Sequence, residues 1–135
     1  MKQFKIFFLV LAVFALVLSA SCKKDHTNDT VNIEIEEPTE GMVTMSGDSL
    51  HMHIHFTSDD IIHNVLVKVY NETNNDELVF NFEEHVHADG EYLFHEHMVP
   101  NVTEDSQFRL EAQASGHEDG DFIYKEEVHF MVHTQ

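Results

Sequence analysis

The stretch Leu50-His51-Met52-His53-Ile54-His55-Phe56 decides how this chain reads. Side chains alternate across a β-strand. Leu50, Met52, Ile54 and Phe56 therefore form an apolar stripe, and His51, His53 and His55 form an imidazole stripe on the opposite face. One face suits a core; the other suits water or a metal. The same period of two runs through the chain from Val31 onward, and no helical stripe of useful length competes with it.

Working outward, Val31-Asn32-Ile33-Glu34-Ile35 alternates cleanly and opens the domain. Pro38 and Gly41 mark a turn before a short strand over residues 42–45, and Ser46-Gly47-Asp48 turns the chain into the histidine strand. Thr57-Ser58-Asp59-Asp60 is expected to end that strand. The next covers residues 61–70, with His63, Val65, Val67 and Val69 on one side and Leu66 and Tyr70 on the other, which predicts burial on both faces. A polar loop over 71–77 leads to a strand over 78–87, with Leu78, Phe80, Phe82 and Val86 inward. Ala88-Asp89-Gly90-Glu91 reads as a hairpin turn, and 92–99 as the return strand with Tyr92, Phe94 and Met98 inward. Strands over 107–114 and 122–134, separated by an acidic turn, complete the pattern. Seven or eight short strands with regular turns predict an all-β fold, an antiparallel immunoglobulin-like β-sandwich over residues 31–135.

The order of features resembles that of single immunoglobulin-like domains in a family of bacterial lipoproteins of unknown activity. The features are Pro38-Thr39-Glu40-Gly41, Gly47-Asp48, the alternating strand, Asp59-Asp60 and Val65-Leu66-Val67. The resemblance implies the fold and no activity. With one cysteine and no tryptophan, the chain lacks the core of an antibody domain.

The N-terminus carries the second part of that resemblance. Lys2 and Lys5 precede an apolar run of thirteen residues, 6–18, followed by Ser19-Ala20-Ser21 and the sole cysteine, Cys22. This is the anatomy of a secretory signal, too short for a comfortable membrane span. Leu18-Ser19-Ala20-Ser21-Cys22 resembles a lipobox, with the leucine one place further from the cysteine than the commonest pattern. The resemblance implies cleavage after residue 21, lipidation of Cys22, a flexible tether over 22–30, and an outer-membrane or cell-envelope location facing the periplasm or the cell surface. The membrane is then a partner through the lipid anchor. His26, in the tether, reads as solvated.

Charge narrows the function. The chain has 25 Asp+Glu against 7 Lys+Arg, a net −18, and two of the cations lie in the leader. Such a surface repels nucleic acid and attracts cations. One cysteine excludes a Cys-based zinc site and any internal disulfide. Twelve histidines remain.

In an immunoglobulin-like sandwich the strand at 50–56 pairs with that at 92–99, which pairs in turn with that at 78–87. Alternation then projects His51, His53, His55, His85, His87, His95 and His97 from one sheet face, while Glu84 and Glu96 are turned inward by the same parity. Imidazoles on that grid can converge on one ion at about 2.0–2.1 Å. All-imidazole ligation suits zinc first, then copper or nickel. The arrangement is similar to the zinc site of carbonic anhydrases and the copper-bearing strands of Cu/Zn superoxide dismutases, although neither family is otherwise matched. His63 reads as a strand-start or loop residue, His117 as part of an acidic turn, and His129 and His133 as a weaker second pair of ligands.

The expected function is a membrane-anchored module that binds a transition metal through this face. The alternative is an interaction module of the envelope whose histidines are polar surface or pair with acids. A zinc hydrolase is disfavoured: a sheet face gives no sheltered cavity, and no catalytic motif is present. No catalytic residue and no nucleic-acid partner is expected.

Overall fold

The computed structural model describes residues 30–116, 120, 122 and 124–135. The leader, Cys22, His26 and His117 lie outside the described residues, as does the tether before Thr30. Among the described residues the chain is all-β, with six strands: β1 (Val31–Glu37), β2 (Val43–Met45), β3 (Leu50–Asn71), β4 (Glu77–Met98), β5 (Ser106–Ser115) and β6 (Tyr124–His133).

Six replace the expected seven or eight because two pairs are fused. The strands expected at 50–56 and 61–70 run on as the 22-residue β3, and those at 78–87 and 92–99 as the 22-residue β4. The turn chemistry at Ser58-Asp59-Asp60 is real: Ser58 Oγ accepts from the Asp60 amide at 3.2 Å and Asp60 Oδ1 from the Ile61 amide at 2.8 Å. It builds a bulge instead of a turn because the partner strand continues past it. Thr57 faces Glu91 and Ile61 faces Asp89, so Ser58, Asp59 and Asp60 stand opposite Gly90 alone. The expected hairpin turn at 88–91 is likewise strand.

A second bulge follows at once. Ile62 faces Ala88 and Asn64 faces His85, so His63 stands opposite Val86 and His87 together. His87 takes φ +47, a left-handed conformation rare outside glycine in which histidine is over-represented. The bulge flips the parity of β3. Its inward residues are even-numbered as far as Ile62 and odd-numbered from Val65 to Val69. β4 keeps one parity, with Phe80, Phe82, Val86, Ala88, Tyr92, Phe94 and Met98 on the core. Leu78, expected inward, is 49% exposed, because a further bulge near Val69 and Tyr70 shifts the register there.

One sheet runs in the order β1-β3-β5-β6-β2, with β4 on the other side of β3. It is mixed, since β2 pairs with β6 in parallel and the other pairs are antiparallel. β1 covers residues 53–58 of β3, β5 covers residues 64–71, and β4 flanks β3 along nearly its whole length. Strand 78–87 therefore does not lie beside 92–99; each pairs with a different half of β3. The long hairpin bends at its bulges, and β1 packs across the core against β5 and β6. A single cluster containing Leu50, Met52, Ile54, Phe56, Val65, Val67, Phe94, Leu110 and Phe130 fills the interior, in keeping with a β-sandwich. Leu66 is buried on the opposite face of β3 from Val65 and Val67, as the apolar run suggests.

The bend can be tested at Gly90. Its φ is +77, and a Cβ there would meet only the Ser58 carbonyl oxygen, at 3.6 Å. There is room for a methyl group but not a favourable backbone. Gly90→Ala is expected to destabilise the domain by about 1–2 kcal/mol, read as a lowered urea midpoint with unchanged m-value.

Candidate metal centre

The bulge at the bend decides where the histidines meet. Because His63 lies between Ile62, which is buried, and the parity flip, its side chain turns out of the core onto the face that carries His85 and His87. The three residues can bring one ligand nitrogen each within 4.8 Å of the others. The His85 and His87 Nε2 atoms lie 2.7 Å apart, and the His63 ring sits 4.7 Å from that of His87 and 6.1 Å from that of His85.

The pair is oriented from behind. His85 Nδ1 lies 2.7 Å from Asn64 Oδ1, so Nδ1–H donates to the amide oxygen and Nε2 carries the lone pair. An outer hydrogen bond that fixes the tautomer is the usual support of a metal-ligating histidine. His87 Nε2–H then donates to His85 Nε2, and a proton occupies the gap between two potential ligands. In a tetrahedral zinc site two such nitrogens would be about 3.3 Å apart, a small outward motion for exposed side chains. His63 Nδ1 is shut from solvent and has no hydrogen-bond partner among the described residues.

The seven histidines expected on one face divide into three groups. His51 faces His97 and His53 faces His95 across β3 and β4, with ring centroids 6.4 Å and 3.6 Å apart. They line a shallow groove of about 330 Å³ with Glu37, Met52 and Glu96. His85 and His87 lie beyond the bend with His63. His55 faces Leu93, not a histidine, and its Nε2 is 2.7 Å from Glu91 Oε1, out of line for a hydrogen bond. His63 is the candidate ligand that sequence reasoning missed. Its signal was present: the inward set changes from even at Phe56 to odd at Val65, which a continuous strand can accommodate only with a bulge.

Glu84 and Glu96 are both exposed despite their inward parity, because β4 pairs only with β3 among the described residues. Glu84 accepts from Tyr92 Oη at 2.9 Å; burial and this carboxylate push the Tyr92 phenol up to about 12. His129 and His133 do not form a ligand pair. His129 Nε2 lies 3.4 Å from Glu72 Oε1, and His133 Nδ1 2.7 Å from Asp105 Oδ2.

Two of the few cations are committed elsewhere. Arg109 contacts Glu72 at 3.4 Å and lies over the Tyr70 ring. Lys125 holds the buried Glu111 at 2.6 Å and also contacts Glu127. Burial raises the Glu111 carboxyl, but hydrogen bonds from Lys125 and Gln113 and the charges of Lys125 and Arg109 outweigh it and leave the pKa lowered. A lowered carboxylate stabilises the fold above its unfolded pKa, and that contribution disappears as pH falls through the folded value. Urea midpoints of the wild type and Glu111→Gln are therefore expected to differ at pH 6 and to converge as the pH is taken towards 3.

Comparison with known proteins adds the fold alone. No family model and no curated protein matches the chain. Among solved structures it is similar to the CARDB domain of the PF1109 protein of Pyrococcus furiosus. The solution structure of that domain matches with 15% identity and TM-score 0.50, covering 78% of this chain and 94% of that one. Its crystal structure, in complex with di-metal ions, matches with 14% identity and TM-score 0.49, covering 79% and 89%. A Listeria innocua β-glucosidase in complex with glucose matches with 14% identity and TM-score 0.53, over 78% of this chain but 16% of that one. The likeness places the chain among all-β domains of immunoglobulin-like type.

Proposed function

We propose that this protein is a lipid-anchored, immunoglobulin-like envelope module that binds a transition metal, zinc first, through His63, His85 and His87. The observation that carries this reading is the His85–His87 pair. Two imidazole nitrogens are held 2.7 Å apart, with His85 oriented by Asn64 and His63 alongside. Strain supports the same place: His87 is held at φ +47, and backbone strain gathers at functional sites. Three neutral nitrogens leave a fourth tetrahedral position for water or an acceptor's ligand. An exposed site of that kind suits capture and hand-over of an ion. Protons compete for the same lone pairs, so binding weakens as pH falls.

Anchoring rests on the sequence around Cys22. The reading as an interaction module is favoured by one observation: among the described residues the outer side of β4 has no strand partner, and it carries exposed Leu78, Val79 and Leu93.

Competition for zinc against a chromophoric chelator tests the metal reading. His63→Asn is expected to weaken the first zinc equivalent by more than about 100-fold, and Asn64→Ala, which frees the His85 ring, by about 10–100-fold. His51→Asn with His97→Asn should leave it within twofold. Wild-type affinity in His63→Asn would overturn the reading.

A further inference from the structure

We infer that the outer edge of β4, over residues 78–84, is a docking site for an extended, basic segment of a partner protein that adds to the sheet as a further strand. The inference rests on the interaction-module reading and does not involve the metal site. Among the described residues β4 pairs with β3 alone, so its other side presents backbone N–H and C=O groups without a strand partner. An extended peptide satisfies such an edge through main-chain hydrogen bonds.

The core is open along the same edge. Val67 and Val69 of β3 are fully buried, and β5 covers them on one flank. On the other flank they face Phe82 and Phe80 of β4. Those two rings lie 4.9 Å and 6.4 Å from the buried Phe94 ring, yet each is only half-buried. Leu78 and Val79, just before them, are exposed. An added strand sets every second side chain over Phe80 and Phe82 and takes their remaining apolar surface out of water.

The bend confines the site to this half of β4. The left-handed residues His87 and Gly90 and the bulges around them interrupt the edge beyond it. From Phe80 to His85 the ladder with β3 runs without a break.

Charge points to the occupant. β4 carries six acids and no Lys or Arg. Glu83 and Glu84 lie in the docking run and Glu77 just before it, all exposed. Lys68 of β3, opposite Asn81, is the one cation in the two long strands. A second copy paired edge to edge sets like carboxylates against one another, which opposes association. A strand with Lys or Arg at alternate positions meets the same carboxylates with opposite charge. Its intervening apolar side chains fall on Phe80 and Phe82.

Amide spectra of the nitrogen-15-labelled full chain, recorded with a chelator present, test the inference with synthetic octapeptides. An alternating lysine–valine peptide is expected to move the amides of residues 78–84 first. It should bind about tenfold more tightly than a glutamate–valine peptide of the same pattern. A lysine–valine peptide with two valines replaced by proline, which cannot donate to a ladder, should also bind about tenfold more weakly. Glu83→Gln/Glu84→Gln should weaken the lysine–valine peptide by about threefold or more. Glu104→Gln/Glu126→Gln removes the same charge from other exposed positions and should have a smaller effect. The inference is overturned if the proline peptide binds as well, or if the Glu104/Glu126 control loses as much as the Glu83/Glu84 variant. It is overturned too if the chain sediments as a dimer whose formation protects the amides of 78–84 from exchange. Binding that moves amides elsewhere overturns this edge as the site and leaves the interaction-module reading standing. No binding of the lysine–valine peptide at millimolar concentration overturns the inference, and the interaction-module reading then rests on whether the chain holds a chelator-insensitive protein partner.

Discussion

A pair of bulges in the β3–β4 hairpin is the constraint on which the rest depends. Two 22-residue strands cannot stay paired and straight and still enclose a core, since each half must bury its own apolar stripe against the opposite half. The bulges at Ser58–Asp60 and at Val86–His87 take up the bend. The first uses side-chain hydrogen bonds and a left-handed Gly90; the second uses a left-handed His87. The same device moves the inward set of β3 from even to odd positions, so that Ile62 and Val65 can both be buried. His63 is what this shift leaves on the outer face.

Site and fold are thereby one problem. Zinc ligation asks for three or four nitrogens around one point, and a regular strand offers side chains on one face only every second residue, about 6.8 Å apart. At the bend the bulged strand brings the His85 and His87 nitrogens to 2.7 Å with His63 beside them. In the regular part of the hairpin the His53 and His95 rings lie 3.6 Å apart and those of His51 and His97 6.4 Å apart, and among the described residues no third ligand atom joins either pair. The most conspicuous histidine strand in the sequence is thus the less converged one. The cluster sits in a chain with far more acids than cations, which raises the local concentration of any positive ion.

Much of the fold was legible because burial on one face imposes a period of two. The stripe Leu50, Met52, Ile54 and Phe56 and the inward Phe80, Phe82 and Phe94 follow from that period. The pairing of 50–56 with 92–99, which puts His53 and His95 on one face, follows from the immunoglobulin-like strand order. What could not be read was whether Asp59-Asp60 and Asp89-Gly90 make turns or bulges. The same residues serve both, because each needs local hydrogen bonding and a left-handed backbone. That choice is set by the partner strand, which a local pattern does not contain. It cost the reading His63, placed His85 and His87 beside the wrong strand, and joined into one face groups that the bend separates.

The central claim is that the bulge, and not the histidine-rich strand, is where a transition metal binds. Nitrogen-15 correlation spectra of the imidazoles during zinc titration report this most directly, because ligation shifts the bound nitrogen by a large and characteristic amount. The first equivalent is expected to move the ring nitrogens of His63, His85 and His87, leaving those of His51, His53, His95 and His97 in place. First-equivalent shifts confined to the latter four, or spread evenly over all the histidines, would contradict the account.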